Sequence, residues 1–168
     1  MTMEQILDTL RGFEGVLELS PAPGSEFPEI AWGDHFFYYA ADGRLPQREQ
    51  PYATIVTKDY LDDASSDLDP PGRWRLNVHV SRDRFVELLG QDPHTATTPS
   101  DTSEADVLFR HPVYGAQGWL SVVNPGERTT STVVALLGEA HEGARRRARR
   151  RDAAGHSQEA SEPAVDEI

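Results

Sequence analysis

Residues 74–80, Trp-Arg-Leu-Asn-Val-His-Val, alternate without a break: Trp74, Leu76, Val78 and Val80 are apolar, while Arg75, Asn77 and His79 are polar. Successive side chains of a strand point to opposite faces, so this stretch predicts one face for a core and one for water or a ligand. A parallel sheet buried on both sides would read as a continuous apolar run. Alternation marks an antiparallel sheet instead.

Further strands surround it. Tyr52 to Lys58 (YATIVTK), the short run Val16 to Leu19 and Gly118 to Asn124 (GWLSVVN) are β-prone, and a brief segment from Ala105 to Phe109 leads toward the last of them. In Glu29 to Ala41 two β-prone runs, IAW and HFFYYA, flank Gly33-Asp34, a pair suited to a tight reversal, which predicts a hairpin whose aromatic residues enter the core. Three helices are expected. Thr2 and Gln5 form a capping box ahead of the stripe Met3, Ile6, Leu7, Leu10; Ser81 and Gly90 bracket Phe85 to Leu89; Thr129 or Thr130 opens a closing helix that extends into an arginine run. The fold expected is α+β: two layers, an antiparallel sheet of about five or six strands packed against the N- and C-terminal helices. Residues 1–150 form its single domain, and the acidic, core-poor residues 151–168 are expected to be a disordered tail.

The totals exclude several function classes. Cysteine is absent, which removes disulfides, thiolate metal sites and cysteine nucleophiles. Nothing resembles a secretory leader or a membrane span, so a cytoplasmic protein without membrane contact is expected. Residues 1–144 carry 10 basic and 23 acidic side chains, a balance of −13, before six arginines arrive between Arg145 and Arg151. An acidic body of this kind repels a polyanion, and the run lacks interleaved aromatics, so nucleic-acid binding through it is a secondary reading. Screening of the run by the acidic tail or by an aspartate-rich loop is the simpler expectation.

No phosphate-loop, zinc-protease or hydrolase-elbow motif occurs, and no catalytic residue, metal or cofactor is assigned. The aspartates at 59, 62, 63, 67 and 69 match no calcium loop and read as a solvated acidic loop. Lys58, the sole lysine, is expected to pair with Asp59 or its neighbours. The preferred site is the polar face of the 74–80 strand. There Arg75, Asn77 and His79 would bind a small molecule or a protein partner, with Lys58, His111, Tyr114 and Trp119 at the rim. The enzymatic alternative is a hydrolase or isomerase in which His79 or His111 works with an aspartate as an acid–base pair.

Four segments in order, EIAWGDHFFYYAADG (29–43), PYATIVTKDY (51–60), LDPPGRWRLNVHV (68–80) and HPVYGAQGWLSVVNPGERT (111–129), resemble an uncharacterised actinobacterial family, the domain of unknown function numbered 6194. More distantly, the order of a Gly-Trp strand, an Asn-Pro turn and a closing helix is similar to the small α+β proteins of MmcQ/YjbR type. Neither resemblance transfers a catalytic or binding residue.

Overall fold

In the computed structural model, which describes residues 1–159, the strands are β1 (Val16–Leu19), β2 (His35–Tyr39), β3 (Ala53–Val56), β4 (Arg75–His79), β5 (Leu108–Arg110) and β6 (Trp119–Val123). The helices are α1 (Met3–Arg11), α2 (Arg82–Leu89) and α3 (Thr130–Glu159). The strands form one open antiparallel sheet in the order β1-β2-β3-β4-β6-β5. The one departure from chain order lies at the far edge, where β6 pairs with β4 and leaves β5 outside it.

Registration sorts the side chains cleanly. Phe37, Ala53, Val78 and Leu120 stand in one cross-strand row, with Ile55, Leu76 and Val122 in the next. These residues, all 3% exposed or less, meet Ile6, Leu7 and Leu10 of α1 and Val133, Leu136, Leu137 and Ala140 of α3. That layer is the core. His141 is buried among it as a structural residue: one ring nitrogen bonds the Tyr52 hydroxyl at 3.0 Å and the other the Glu14 carbonyl at 2.9 Å.

The caps of α1 and α2 follow the local chemistry. Thr2 accepts from the Gln5 N–H while the Gln5 side chain accepts from the Thr2 N–H, completing the capping box of α1. Ser81 opens α2 and Gly90, at φ +70°, closes it. The turn that leads into α3, which starts at Thr130, is held by a carboxylate from elsewhere in the chain. The Asp106 carboxylate accepts from the backbone N–H groups of Gly126, Arg128 and Thr129 at 2.7, 2.9 and 3.0 Å. Burial works upward on this carboxyl, but the donors around it prevail and hold it far below the usual range.

The hairpin expected over 29–41 does not form. Glu29–Ala31 is a single 3-10 turn, and β2 pairs with β1 and β3. Pro28 ahead of the segment fixes one dihedral and has no N–H, and the Gly33 N–H bonds the Pro21 carbonyl at 3.0 Å. Asp34, fully buried, is drawn toward β3 and not into a hairpin ladder. Of the aromatic residues in this region only Phe37 is fully in the core.

α3 runs through Glu159, past the boundary expected near residue 150; the rest of the expected tail, 160–168, lies outside the described residues. Among the described residues no helix is long and apolar enough to cross a membrane.

Candidate functional site

The face of the sheet away from α1 and α3 carries Phe36, Thr54, Asn77 and Ser121 in one cross-strand row and Arg75 and Val56 in the next. A cavity of about 880 Å3 lies over it, walled by the 48–51 segment, the 60–63 loop, the 111–117 loop and Arg147 of α3. Arg75, Asn77, His79, His111, Tyr114 and Trp119 all line this cavity.

Lys58 does not. Its ammonium group donates to the Trp32 carbonyl at 2.7 Å and to Asp34 Oδ1 at 3.0 Å, beneath the wall. Asp34 Oδ1 also accepts from the Thr57 N–H and hydroxyl, and Oδ2 accepts from the Tyr60 hydroxyl. The partner of Lys58 is therefore a carboxylate from before β2, not Asp59. Asp59 serves the loop itself, accepting from the Leu68 N–H at 2.9 Å, while its own N–H bonds Asp69. Burial and then the Asp34 carboxylate raise the Tyr60 hydroxyl well above its ordinary value, so it stays a donor.

The floor is a hydrogen-bonded network centred on Arg75, which is 1% exposed. Its Nε donates to Asn77 Oδ1 at 2.8 Å, Nη1 to Asp63 Oδ1 at 2.9 Å and to Ser66 Oγ at 3.0 Å, and Nη2 to Asp63 Oδ2. Asn77 Oδ1 also accepts from Ser121 at 2.7 Å, and its amide donates to Thr54 at 3.0 Å. A planar guanidinium facing a carboxylate through two parallel bonds is the strong form of this pairing. Burial pushes the Asp63 carboxyl up, but the Arg75 guanidinium outweighs it and the carboxyl stays below its usual range. The aspartate-rich loop is thus not merely solvated: Asp63 folds it over the sheet.

His111 is 4% exposed, and its Nδ1 accepts the backbone N–H groups of Val113 and Tyr114 at 3.0 Å each. Two donors on Nδ1 place the proton of the neutral ring on Nε2. That atom lies 3.3 Å from Arg75 Nη2 and 3.9 Å from Asp63 Oδ2. Burial, then the Arg75 charge, lowers its pKa from 6.5 to about 4. The ring has no spare lone pair with which to take a proton from a substrate, and the nearest carboxylate belongs to Arg75. His79 Nε2 donates to the Gln117 carbonyl at 3.0 Å, which fixes a proton there and leaves Nδ1 as an acceptor. Burial and then Arg147 lower its pKa. Neither imidazole therefore forms the acid–base pair with an aspartate that the enzymatic alternative requires.

The remaining lining residues escaped the sequence reading. Phe36 and Tyr38 turn from the core into the cavity and face Tyr114 and Trp119 across it. The parity of β2 carried that signal, since residues on either side of buried Phe37 must point the other way. Arg147 had no such signal; it reaches the cavity only because α3 overruns the sheet. Arg145 and Arg151 pair with Glu142 and Glu49, so neither the tail nor the aspartate loop supplies their described partners. Among the described residues no three of His, Asp or Glu group as a metal site.

No curated protein and no solved structure matches the chain. A family model does match, over residues 1–153, so that the four β-rich segments, the cavity they build and most of α3 fall inside it: the chain belongs to the family of unknown function DUF6194.

Proposed function

We propose that this chain is a cytoplasmic, non-enzymatic domain that binds a small organic ligand in the cavity over the sheet. The observation that carries this reading is the lining: aromatic rings for walls and a pre-arranged polar floor in one concavity of about 880 Å3. Ligand sites have this composition, mostly apolar with a few placed polar groups, and this size. Arg75, Asp63, Asn77, Ser66 and Ser121 bond one another across the floor, so it keeps its shape without a ligand.

The test is a thermal-shift screen of small metabolites against the intact protein and an Ala31→Phe variant. Ala31 lines the cavity apart from the polar floor, so a phenyl group there fills volume without removing a bond. A ligand at a hundredfold excess over its dissociation constant adds about 2.7 kcal/mol of stability. In a chain of this length that raises Tm by roughly 5–10 °C. The shift is expected to vanish in the variant. Ligands that stabilise both proteins equally would place binding elsewhere and overturn the reading.

A further inference from the structure

The cavity has a neighbour on the other side of His79. A second concavity of about 830 Å3 lies against α3, and His79 and Arg147 belong to the walls of both. The first chamber is aromatic. The second is lined by Arg146, Arg149 and Arg150, and the acid in its wall, Glu139, is already paired with Arg84 at 3.1 Å. In a chain of net charge −12, this junction is a local excess of positive charge.

Arg147 is central to it. Arg145 and Arg151 have carboxylate partners, but the guanidinium groups of Arg146, Arg147, Arg149 and Arg150 make no hydrogen bond or ion pair with any described residue. Arg147 is half-buried, and its charge is opposed first by burial and then by Arg151, Arg150 and Arg146, with Glu49 as the one attraction acting on it. An incoming anion relieves that arrangement, and the charge-assisted bonds it would make are the strong class. A long polyanion is disfavoured by the acidic body around the junction, whereas a small one meets only the junction itself.

We infer that the aromatic chamber takes an organic phosphate, its flat ring among Phe36, Tyr38, Tyr114 and Trp119 and its phosphate at Arg147, the wall shared with the arginine-lined concavity, a conclusion that rests on the small-ligand reading above. A phosphate suits the place better than a carboxylate because four arginines line the concavity that shares Arg147, and a phosphate monoester offers them up to two charges and three acceptor oxygens.

The experiment uses one ring with three heads. Naphthyl phosphate, naphthoate and naphthol are titrated into the full chain at low ionic strength, with tryptophan fluorescence as the readout because Trp119 lines the site. Naphthyl phosphate is expected to bind at least about tenfold tighter than naphthol, the gain of one charge-assisted bond, with naphthoate between them. Arg147→Gln should close most of the gap between naphthyl phosphate and naphthol. Arg44→Gln, which removes the same charge outside both chambers, should leave the gap intact. Equal affinity for phosphate and naphthol, or equal effects of the two variants, overturns the inference while the cavity reading stands. Naphthoate binding as tightly as the phosphate overturns the choice of phosphate. Binding of none of the three overturns the cavity reading and this inference with it.

Discussion

Acidification should weaken the fold through His111, and the loss should disappear when that ring is replaced by an amide. In the unfolded chain the imidazole titrates near 6.5, and in the fold near 4. Between those values the unfolded state binds more protons, so this contribution is fully present above about pH 6.5 and is lost as pH falls through the window. The linkage integral for those two values is about 2 kcal/mol between pH 7 and pH 5, approaching about 3 kcal/mol once the folded ring also protonates. The geometry explains why the penalty cannot be relaxed locally. A second proton on the ring would have to sit on Nδ1, where the Val113 and Tyr114 N–H groups already point, and the new charge would lie beside Arg75. His111→Asn keeps an oxygen acceptor for those two donors in an Asx-type turn and removes the titration. Urea unfolding of both proteins, followed by tryptophan fluorescence at pH 7 and pH 5, gives the comparison. His79 and His141 are also shifted down by burial and act in the same direction in both proteins, so the difference isolates His111. Equal pH slopes for wild type and variant, or an NMR titration of His111 near 6.5, would refute the reasoning.

Asp63→Ala leaves the Arg75 guanidinium buried without its counterion and should cost about 3–5 kcal/mol, whereas Arg75→Met with Asp63→Leu should recover most of that loss; a free energy of urea unfolding within about 1 kcal/mol of wild type for the single variant would contradict the pairing. Asp106→Ala removes the acceptor at the start of α3 and should destabilise by about 1–2 kcal/mol, read as a lower Tm with faster amide exchange in the first turn of that helix. Lys58→Met should lower stability by about 1–3 kcal/mol, because Asp34 loses a charged donor, yet leave the affinity of any cavity ligand unchanged. A Lys58 variant that bound such a ligand more weakly by tenfold would return this residue to the site.

The alternation of residues 74–80 was enough to read an antiparallel sheet with one core face and one polar face, because strand parity is a local property of the backbone. It was not enough to read wetness. Arg75 and Asn77 are 1% and 2% exposed, since the loop through Asp63 and Ser66 folds over them, and polarity in a strand reports the need for hydrogen bonds, not for water. Lys58 illustrates the second limit. Its sequence neighbours include Asp59, but the carboxylate it meets, Asp34, is 24 residues away and arrives by strand pairing. The IAW run shows the third: β-prone composition lost to the constraints around it, a proline before and a buried aspartate after. In β2 the four aromatic residues 36–39 divide by parity, so Phe37 enters the core while Phe36 and Tyr38 go to the other face, which an all-core hairpin does not allow.

These limits bear on where recognition resides. The residues that the sequence advertised most strongly are the ones whose bonding capacity the fold has consumed. Arg75 spends its donors on Asp63, Ser66 and Asn77, and Asn77 Oδ1 accepts twice. Such a group shapes a floor and offers a ligand almost nothing new, because any bond to it must first break one of comparable strength. Spare capacity lies at the margin of the network: the second amide hydrogen of Asn77, the Thr54 hydroxyl hydrogen, the Nδ1 lone pair of His79 and the donors of Arg147. The last two belong to residues that line both the aromatic chamber and the arginine-lined concavity beside it. Substitutions in the Arg75 network should therefore act on stability before they act on binding, and substitutions at Arg147 in the reverse order.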